Sequence, residues 1–428
     1  MSDELQRADK GITGFLKTLV MTDADRVNTV NRRVSEYHPC PVSAFFEPER
    51  GVYNAIISGG ENRIRVNALA AEAVCAVKNN FPVIILHEGN HELEDQIRNC
   101  FEVTGKYREI SDRTPCFEPF YGLNELEIAS QVQETAPKDY DISLNARYYI
   151  EGVSQYLKKN RMDLSFKIFS TCPHALMFDK VDDLRMQNRI TDAEEQNIKS
   201  RLMMGQSEVY KLDTYMANLQ MEMEPIMYAY GAGYYPVNII SALRERAVLC
   251  IDLMSVTNKL LFNTLIFQLK LALTRGMRYV LLIDSLPLHS NEAYASFLKT
   301  STDRICTMIS SEDLYAMTGS EENAFSTLIG NSQITIVMSH LSGKSAARWS
   351  EVLGQYDKYE MSYSRSRGTC KRTRFSLLGS LHQSNSVSIN EKREYIVKPE
   401  VITRLGYGEA YVLSAARGEL AHLVLNGQ

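Results

Sequence analysis

Short apolar segments of strand length recur along the chain, and stretches of helical composition separate them. They lie at 52–58, 81–86, 247–253, 278–288, 304–310 and 333–339. Apolar strands that alternate with helices are typical of a parallel sheet covered by helices on both faces. The sequence therefore predicts an α/β fold with a doubly wound parallel sheet.

Between 124 and 245 the pattern changes to long, polar, methionine-bearing helical segments with few strand candidates. This change predicts an all-α domain at 124–245, inserted into a discontinuous core made of 51–123 and 246–428. Residues 1–50 are predicted to form a helical lead-in to that core.

The amino-acid composition excludes several classes of protein. The 428 residues carry 52 acidic and 47 basic side chains, a net charge of −5, which excludes a protein whose whole surface binds nucleic acid. The eight cysteines are widely spaced, which argues against a zinc site or a disulfide framework. The sequence shows neither a signal-peptide pattern nor a run of eighteen apolar residues, so we expect a cytoplasmic protein without a membrane span.

A glycine pair, Gly59 and Gly60, separates the first predicted strand from a helical segment. A strand, a glycine turn and a helix can present backbone N–H groups to a phosphate. In the frame GxxxxGK[ST], Ile64 replaces the second glycine, Arg65 the lysine and Val66 the hydroxyl that ligates Mg²⁺. Taken alone, these residues favour an ordinary strand-to-helix turn. The alternative is a degenerate nucleotide loop formed by Gly59, Gly60, Asn62, Arg65 and Val66.

The segment at 278–285 is an apolar strand that ends in Asp284 and Ser285. P-loop enzymes place an aspartate beside the metal in this way. In most such ATPases a glutamate follows and orients the attacking water, but here Ser285 follows, and a hydroxyl needs an activating partner to act as a base. Asp284 and Ser285 are thus predicted members of a nucleotide site that lacks its catalytic carboxylate.

Two further motifs have simpler interpretations. The sequence HEGNH at 87–91 matches HExxH, but it is predicted to straddle a strand end and a turn, where its histidines cannot share one helix face as zinc proteases require. The sequence GKS at 343–345 follows Met338, where a P-loop needs glycine, so a helix start capped by Ser342 or Ser345 is favoured. The sequence predicts no metal site and no catalytic residue.

A basic segment near the C-terminus carries five positive charges within ten residues and no acid. Two interpretations stay open: a solvated loop, or a loop that contacts phosphates and binds nucleic acid independently of base sequence. The candidate nucleic-acid-binding residues are Arg365, Arg367, Lys371, Arg372 and Arg374.

Taken in order, these segments resemble the conjugative coupling proteins of type IV secretion systems, the TraD/TraG type within the FtsK/HerA branch of RecA-like motor ATPases. The resemblance is carried by the glycine turn at 54–60, CFEPFYGLNELEIA at 116–129, NIISALRERAVLCIDL at 238–253, RYVLLIDSLPL at 278–288, and the segments 323–356 and 392–414. It implies a RecA-like P-loop fold with an all-α insertion. It also implies a ring of subunits that hydrolyses ATP and presents DNA or protein to a secretion channel.

The chain departs from that family at Arg65, Val66 and Ser285. Each lost group typically contributes about 2 to 4 kcal/mol of transition-state stabilisation. We therefore expect a pseudo-ATPase that binds ATP and Mg²⁺ weakly or not at all and acts as a scaffold or adaptor beside a membrane secretion complex.

The resemblance implies secretion proteins, an active partner ATPase, DNA and further copies in a ring as partners. The alternative function is an active DNA-translocating ATPase with an atypical loop, completed by Arg244 or Arg246 of a neighbouring subunit.

Overall fold

A computed structural model describes residues 33–34, 39–172, 174–228, 233–253, 259–287, 292–301, 304–370, 380–415 and 418–426. Its strands are β1 (Arg33–Val34), β2 (Cys40–Pro41), β3 (Ala55–Ser58), β4 (Val83–His87), β5 (Tyr107–Ile110), β6 (Val248–Asp252), β7 (Val280–Asp284), β8 (Cys306–Ser311), β9 (Ile334–Val337), β10 (Gln355–Cys370), β11 (Ser380–Tyr395), β12 (Glu409–Ser414) and β13 (Glu419–Asn426).

The α-helices are α1 (Asn62–Lys78), α2 (His91–Phe101), α3 (Glu125–Thr135), α4 (Asn145–Lys159), α5 (Phe166–Ser170), α6 (Met177–Met186), α7 (Asp192–Met204), α8 (Val209–Met223), α9 (Ile239–Arg244), α10 (Lys259–Thr274), α11 (Glu292–Ser301), α12 (Leu314–Met317), α13 (Glu322–Gly330), α14 (Gly343–Leu353) and α15 (Pro399–Ile402).

The described residues fall into two compact units. The sheet unit contains those from 39 to 336 together with 425 and 426. The hairpin unit contains those from 337 to 424 together with 33 and 34.

The sheet unit is built around seven strands in the order β9-β3-β8-β7-β4-β6-β5. Every pairing from β3 to β5 along this order is parallel. The strands β3, β4, β6 and β7 are buried along their whole length, which is why they read as continuous apolar runs rather than alternating ones. The predicted α/β, doubly wound parallel sheet is confirmed.

Within the parallel sheet, strand β5 was not predicted from the sequence. Its residues are Tyr107, Arg108, Glu109 and Ile110, so charged side chains interrupt the apolar pattern. Glu109 is nevertheless buried, because Arg98 donates to its Oε2 at 2.5 Å and Ser111 donates to its Oε1 at 2.7 Å. A paired acid at a strand edge therefore concealed the strand.

The segment between β5 and β6 contains α3 to α9. Its two ends lie side by side, because the Phe117 amide donates to the Ile226 carbonyl at 2.9 Å and the Glu118 amide donates to the Val237 carbonyl at 3.0 Å. Asn124 begins α3 with a capping box, in which its side chain and Glu127 each accept a backbone N–H of the other. The all-α insertion is confirmed as part of the fold, whereas the boundaries at 50, 123 and 245 stay a prediction.

The hairpin unit contains a long antiparallel ribbon, in which β10 pairs with β11 from Gln355 opposite Tyr395 to Cys370 opposite Ser380. Arg365 and Arg367 therefore lie in a strand, where a loop was expected. Lys371, Arg372 and Arg374 lie outside the described residues.

Within the described ranges, no helix combines the length and the apolar character that crossing a bilayer demands.

Helix α1 buries an acidic side chain, Glu72, beside the start of β8. The Cys306 thiol lies 3.8 Å from Glu72 Oε1, and burial raises the pKa of the Glu72 carboxyl to about 8. An unfolded glutamate titrates near its ordinary pKa of about 4.3. The folded chain therefore binds the extra proton between these two values.

This predicts that stability falls as the pH rises from about 4.3 to about 8, since across that window the unfolded chain has lost the Glu72 proton and the folded chain still holds it. Glu72→Gln should flatten the decline and raise the urea midpoint at pH 8 above that of the wild type. The exposed Glu102→Gln serves as control. A decline of the same slope in both variants would show that Glu72 does not cause it.

Candidate nucleotide cleft

The carboxyl ends of the parallel strands meet at one edge of the sheet unit, where ligands bind in open α/β sheets. The register places Asp284 at the end of β7 beside Ser310 in β8. It also places Ser58 at the end of β3 beside Ser311. The glycine turn after Ser58 and the predicted Asp284 therefore lie at the same edge, with β8 between their strands.

The turn that follows β3 is formed by the predicted glycine pair. Gly59 and Gly60 have φ angles of 86° and 63°, a left-handed conformation that favours glycine. The Gly59 amide donates to the Ser311 carbonyl at 3.0 Å, so one N–H of the turn is already used within the sheet. Helix α1 then begins at Asn62.

The side chain of Arg65 occupies the inner side of this turn. Its Nη1 donates to the Gly60 carbonyl at 2.7 Å and to the Gly59 carbonyl at 3.2 Å. Its Nη2 lies 3.4 Å from Asn62 Oδ1 and 3.6 Å from Glu312 Oε1, and the residue is 2% exposed. A phosphate-binding turn directs N–H donors at its anion, whereas this turn directs two carbonyl oxygens at a resident cation.

Of the other two predicted residues of this loop, Val66 is buried away from the cleft and Asn62 lines it. Val66 is buried and offers no oxygen where a P-loop supplies its Mg²⁺ ligand. Asn62 stays at the cleft, where its Nδ2 donates to Glu92 Oε2 at 2.7 Å and its Oδ1 accepts from Asn90 Nδ2 at 3.1 Å.

Both carboxylate oxygens of Asp284 are held by neighbouring side chains. Ser310 Oγ donates to Oδ1 at 2.7 Å, and Asn90 Nδ2 donates to Oδ2 at 2.7 Å. Asp284 is 2% exposed, and these two hydrogen bonds satisfy its oxygens in a poorly solvated position.

Ser285 follows Asp284 with a φ of 57°, which is uncommon for a residue that carries a Cβ. Its amide donates to the Ser310 carbonyl at 2.8 Å, so the chain leaves the strand by a sharp turn. The position that carries the catalytic glutamate in most P-loop ATPases therefore holds a half-buried serine on a strained backbone.

The cleft bounded by these residues has a volume of about 580 Å³. Its charged lining residues are four acids and one base: Glu88, Asp284, Glu312, Asp313 and Arg65. The Arg65 guanidinium donates hydrogen bonds to the two glycine carbonyls, so part of its positive charge is already compensated within the protein. The charged groups of the lining are therefore mostly acidic.

Six predicted residues are thus brought to one edge of the sheet unit: Gly59, Gly60, Asn62, Arg65, Asp284 and Ser285. Two lining residues of the cleft were missed, namely Asn90 and Glu312, as was the buried Ser310 that donates to Asp284. Asn90 could have been found because it follows β4, whose carboxyl end meets those of β3 and β7. No ligand tests these assignments, and the nucleotide-binding role of the residues stays a prediction.

The two competing motifs have the structures expected of them. Ser342 caps α14 by accepting the Ser345 amide at 3.3 Å, so GKS is a helix start. HEGNH spans the end of β4 at His87 and the start of α2 at His91, so its histidines do not share a helix. Burial lowers the pKa of His87, which keeps its imidazole neutral at pH 7.

Solved structures of the plasmid coupling protein TrwB share this fold. TrwB in complex with the non-hydrolysable ATP analogue ADPNP matches with a TM-score of 0.50 and 14% identity, over 95% of this chain and 93% of that chain. TrwB in complex with ADP and Mg²⁺ matches with a TM-score of 0.49 and 16% identity, over 94% and 92% of the two chains.

VirB4 of Thermoanaerobacter pseudethanolicus matches with a TM-score of 0.42 and 11% identity, over 87% of this chain and 89% of that chain. No family model matches the chain, and no curated protein matches it by sequence. The resemblance predicted from the sequence is confirmed in the fold, which is α/β and RecA-like.

The Arg65 contacts predict a local stability effect. Arg65→Met should destabilise the protein by about 1–3 kcal/mol, because two carbonyls of the turn lose their buried donor. Arg63→Met, an exposed position on the same helix, should change stability by less than about 0.5 kcal/mol. Urea unfolding of both variants checks this, and equal midpoints would show that the guanidinium does not stabilise the turn.

Proposed function

We propose that this chain is a coupling-protein-like component of a type IV secretion or conjugative DNA-transfer system, and that it acts there as a non-hydrolysing scaffold or adaptor. Its fold, which is similar to that of the plasmid coupling protein TrwB, supports the first part of the proposal. The second part depends on the chemistry of the cleft.

One observation carries the non-hydrolysing role, namely that the Arg65 guanidinium fills the glycine turn. TrwB has been solved with an ATP analogue and with ADP and Mg²⁺. For this chain to hold a nucleotide at its glycine turn, Arg65 would have to leave and the two glycine carbonyls would have to rotate away from the phosphate. Each unsatisfied buried acceptor costs about 1–3 kcal/mol, so the rearrangement opposes binding before any phosphate contact forms.

The catalytic groups support the same conclusion. Val66 cannot ligate Mg²⁺, and the water-orienting carboxylate is replaced by Ser285. Asp284 remains, but Ser310 and Asn90 already satisfy its oxygens. The cleft therefore keeps the framework of a motor ATPase, while Arg65 and Asp284 are hydrogen-bonded within the protein.

The alternative, an active translocating ATPase, requires the same groups to be supplied from elsewhere. Arg244, one residue considered for that role in a neighbouring subunit, donates its Nη2 to the Gly122 carbonyl at 3.1 Å. This contact occupies the guanidinium within its own chain and does not favour the alternative.

An ATPase assay on the purified full chain, with and without single-stranded DNA, tests the proposal. We expect no turnover above that of Asp284→Ala and no Mg²⁺-dependent heat on calorimetric titration with ATP. Glu88→Ala, which removes an exposed acid from the same cleft, is the matched control. Turnover that Asp284→Ala abolishes and Glu88→Ala preserves would overturn the non-hydrolysing role.

We further propose that the basic part of the ribbon contacts nucleic-acid phosphates. Residues 361–390 contain five basic and no acidic side chains, among them Arg365 and Arg367 of β10. Each phosphate contact made by a cation increases the salt dependence of single-strand binding by about 0.7 in log K against log salt.

The double variant Arg365→Gln/Arg367→Gln should therefore lower the magnitude of that slope by about 1.4 for a single-stranded oligonucleotide. Fluorescence anisotropy at several salt concentrations measures it. Arg393→Gln, near the base of the ribbon and 3.4 Å from Asp357, should leave the slope unchanged. Identical slopes for the wild type and the double variant would refute the assignment.

A further inference from the structure

Beside the cleft, three ionisable side chains are buried together: His87, Glu94 and Asp252. The β4–β6 register places His87 beside Asp252 at the ends of their strands. Helix α2 begins four residues after His87 and places Glu94 against the imidazole. His87 and Glu94 are 0% exposed and Asp252 is 2% exposed.

Two atoms of this cluster face each other without a hydrogen bond. His87 Nε2 lies 3.7 Å from Glu94 Oε1, a distance too long for direct bonding. Neither atom has a hydrogen-bond partner among the described residues. Buried polar atoms nearly always have a hydrogen-bond partner or a ligand. The gap between His87 Nε2 and Glu94 Oε1 therefore indicates a group that binds to both atoms.

Two cationic or ionisable side chains on the solvent side of the cluster orient the Glu94 carboxylate. Its other oxygen, Oε2, lies 2.9 Å from His91 Nδ1 and 3.8 Å from Arg113 Nη1, and both of these side chains are about half exposed. Asp252 Oδ1 accepts the Gly89 amide at 2.8 Å and lies 3.9 Å from His87 Nδ1. The cationic groups therefore lie on the solvent side, while one oxygen of Glu94 faces the buried imidazole.

We propose that His87, Glu94 and Asp252 hold a divalent transition-metal ion, for which Zn²⁺ is the probe. One ligand atom from each residue lies within 4.8 Å of the others. The gap of 3.7 Å fits one ion bound at about 2.0–2.1 Å from both the nitrogen and the oxygen. An imidazole with two carboxylates suits zinc or manganese better than calcium, which prefers oxygen ligands alone.

The site differs from a zinc protease in both ligands and access. His91, the second histidine of HEGNH, contacts Glu94 rather than the gap, and the three proposed ligands are shielded from solvent. The ion is therefore structural: it neutralises two buried carboxylates and fixes α2 against β4 and β6. This inference does not depend on the proposed function.

Ion binding has a local consequence for Asn90. Its amide lies 3.3 Å from His87 Nδ1, which accepts that hydrogen bond. With the ion on Nε2, the proton of the neutral ring moves to Nδ1 and the Asn90 amide loses this partner. Asn90 therefore contacts both the proposed metal site, through its amide, and Asp284 of the cleft, through its side chain.

Calorimetric titration of the chelator-treated full chain with ZnCl₂ tests the proposal. We expect about one tight equivalent in the wild type. His87→Gln and Glu94→Gln should each weaken it at least tenfold, whereas Asp95→Asn, the exposed neighbour on α2, should retain it. Absence of the equivalent, or equal affinity in all variants, would overturn the site.

X-ray absorption at the zinc edge of the wild type with one equivalent gives a second result that needs no variant. We expect a shell of nitrogen and oxygen atoms with the outer scattering of one imidazole. The eight cysteines offer competing ligands, so sulfur in the shell would place the zinc elsewhere and refute the proposal. This measurement decides the question if the substituted proteins fail to fold.

Discussion

The guanidinium of Arg65 and the two glycine carbonyls that accept its hydrogen bonds set the character of the whole cleft. A glycine turn can orient its peptide groups in two ways, with N–H groups or with carbonyl oxygens toward the space beside the helix. A resident cation favours the second orientation, because the carbonyl dipoles then point at positive charge. A glycine turn of the kind that binds a phosphate in motor ATPases here binds the Arg65 side chain of the protein itself.

The remaining polar groups are arranged around this interaction. Asn90 links Asn62 to Asp284, Ser310 satisfies the other oxygen of Asp284, and Glu312 lies near the outer side of Arg65. In a low-dielectric site, such a connected network stabilises its charges more than the separate pairs would. Arg65 and Asp284, two charged residues of the cleft, thus have their hydrogen-bond partners within the protein itself.

Much of the fold could be predicted because buried parallel strands are continuous apolar runs. The failure at β5 has a physical cause: Glu109 is buried only because Arg98 and Ser111 satisfy it, and these partners cannot be inferred from a run of four residues. The ribbon formed by β10 and β11 was missed for a related reason. Its serine- and arginine-rich sequence lacks the apolar run by which the other strands were recognised, and it is held by backbone pairing.

The site was predictable to the extent that it follows a linear motif. The frame from Gly59 to Val66 and the strand ending in Asp284 identified residues by position alone. The direction of the Arg65 side chain depends on tertiary packing and could not be derived that way. Asn90 and Asp284 are 194 positions apart, so only the pairing of β4 with β7 brings them together.

The closed glycine turn also has an evolutionary consequence. A lysine at position 65 alone would meet the same inward-facing carbonyls, and a hydroxyl at position 66 alone would have no phosphate-bound metal to ligate. Reversion to a working motor would therefore require several coordinated substitutions, each without benefit until the others are present. On the non-hydrolysing role proposed above, each of these substitutions alone leaves the turn closed to a phosphate, so the loss of hydrolysis is difficult to reverse.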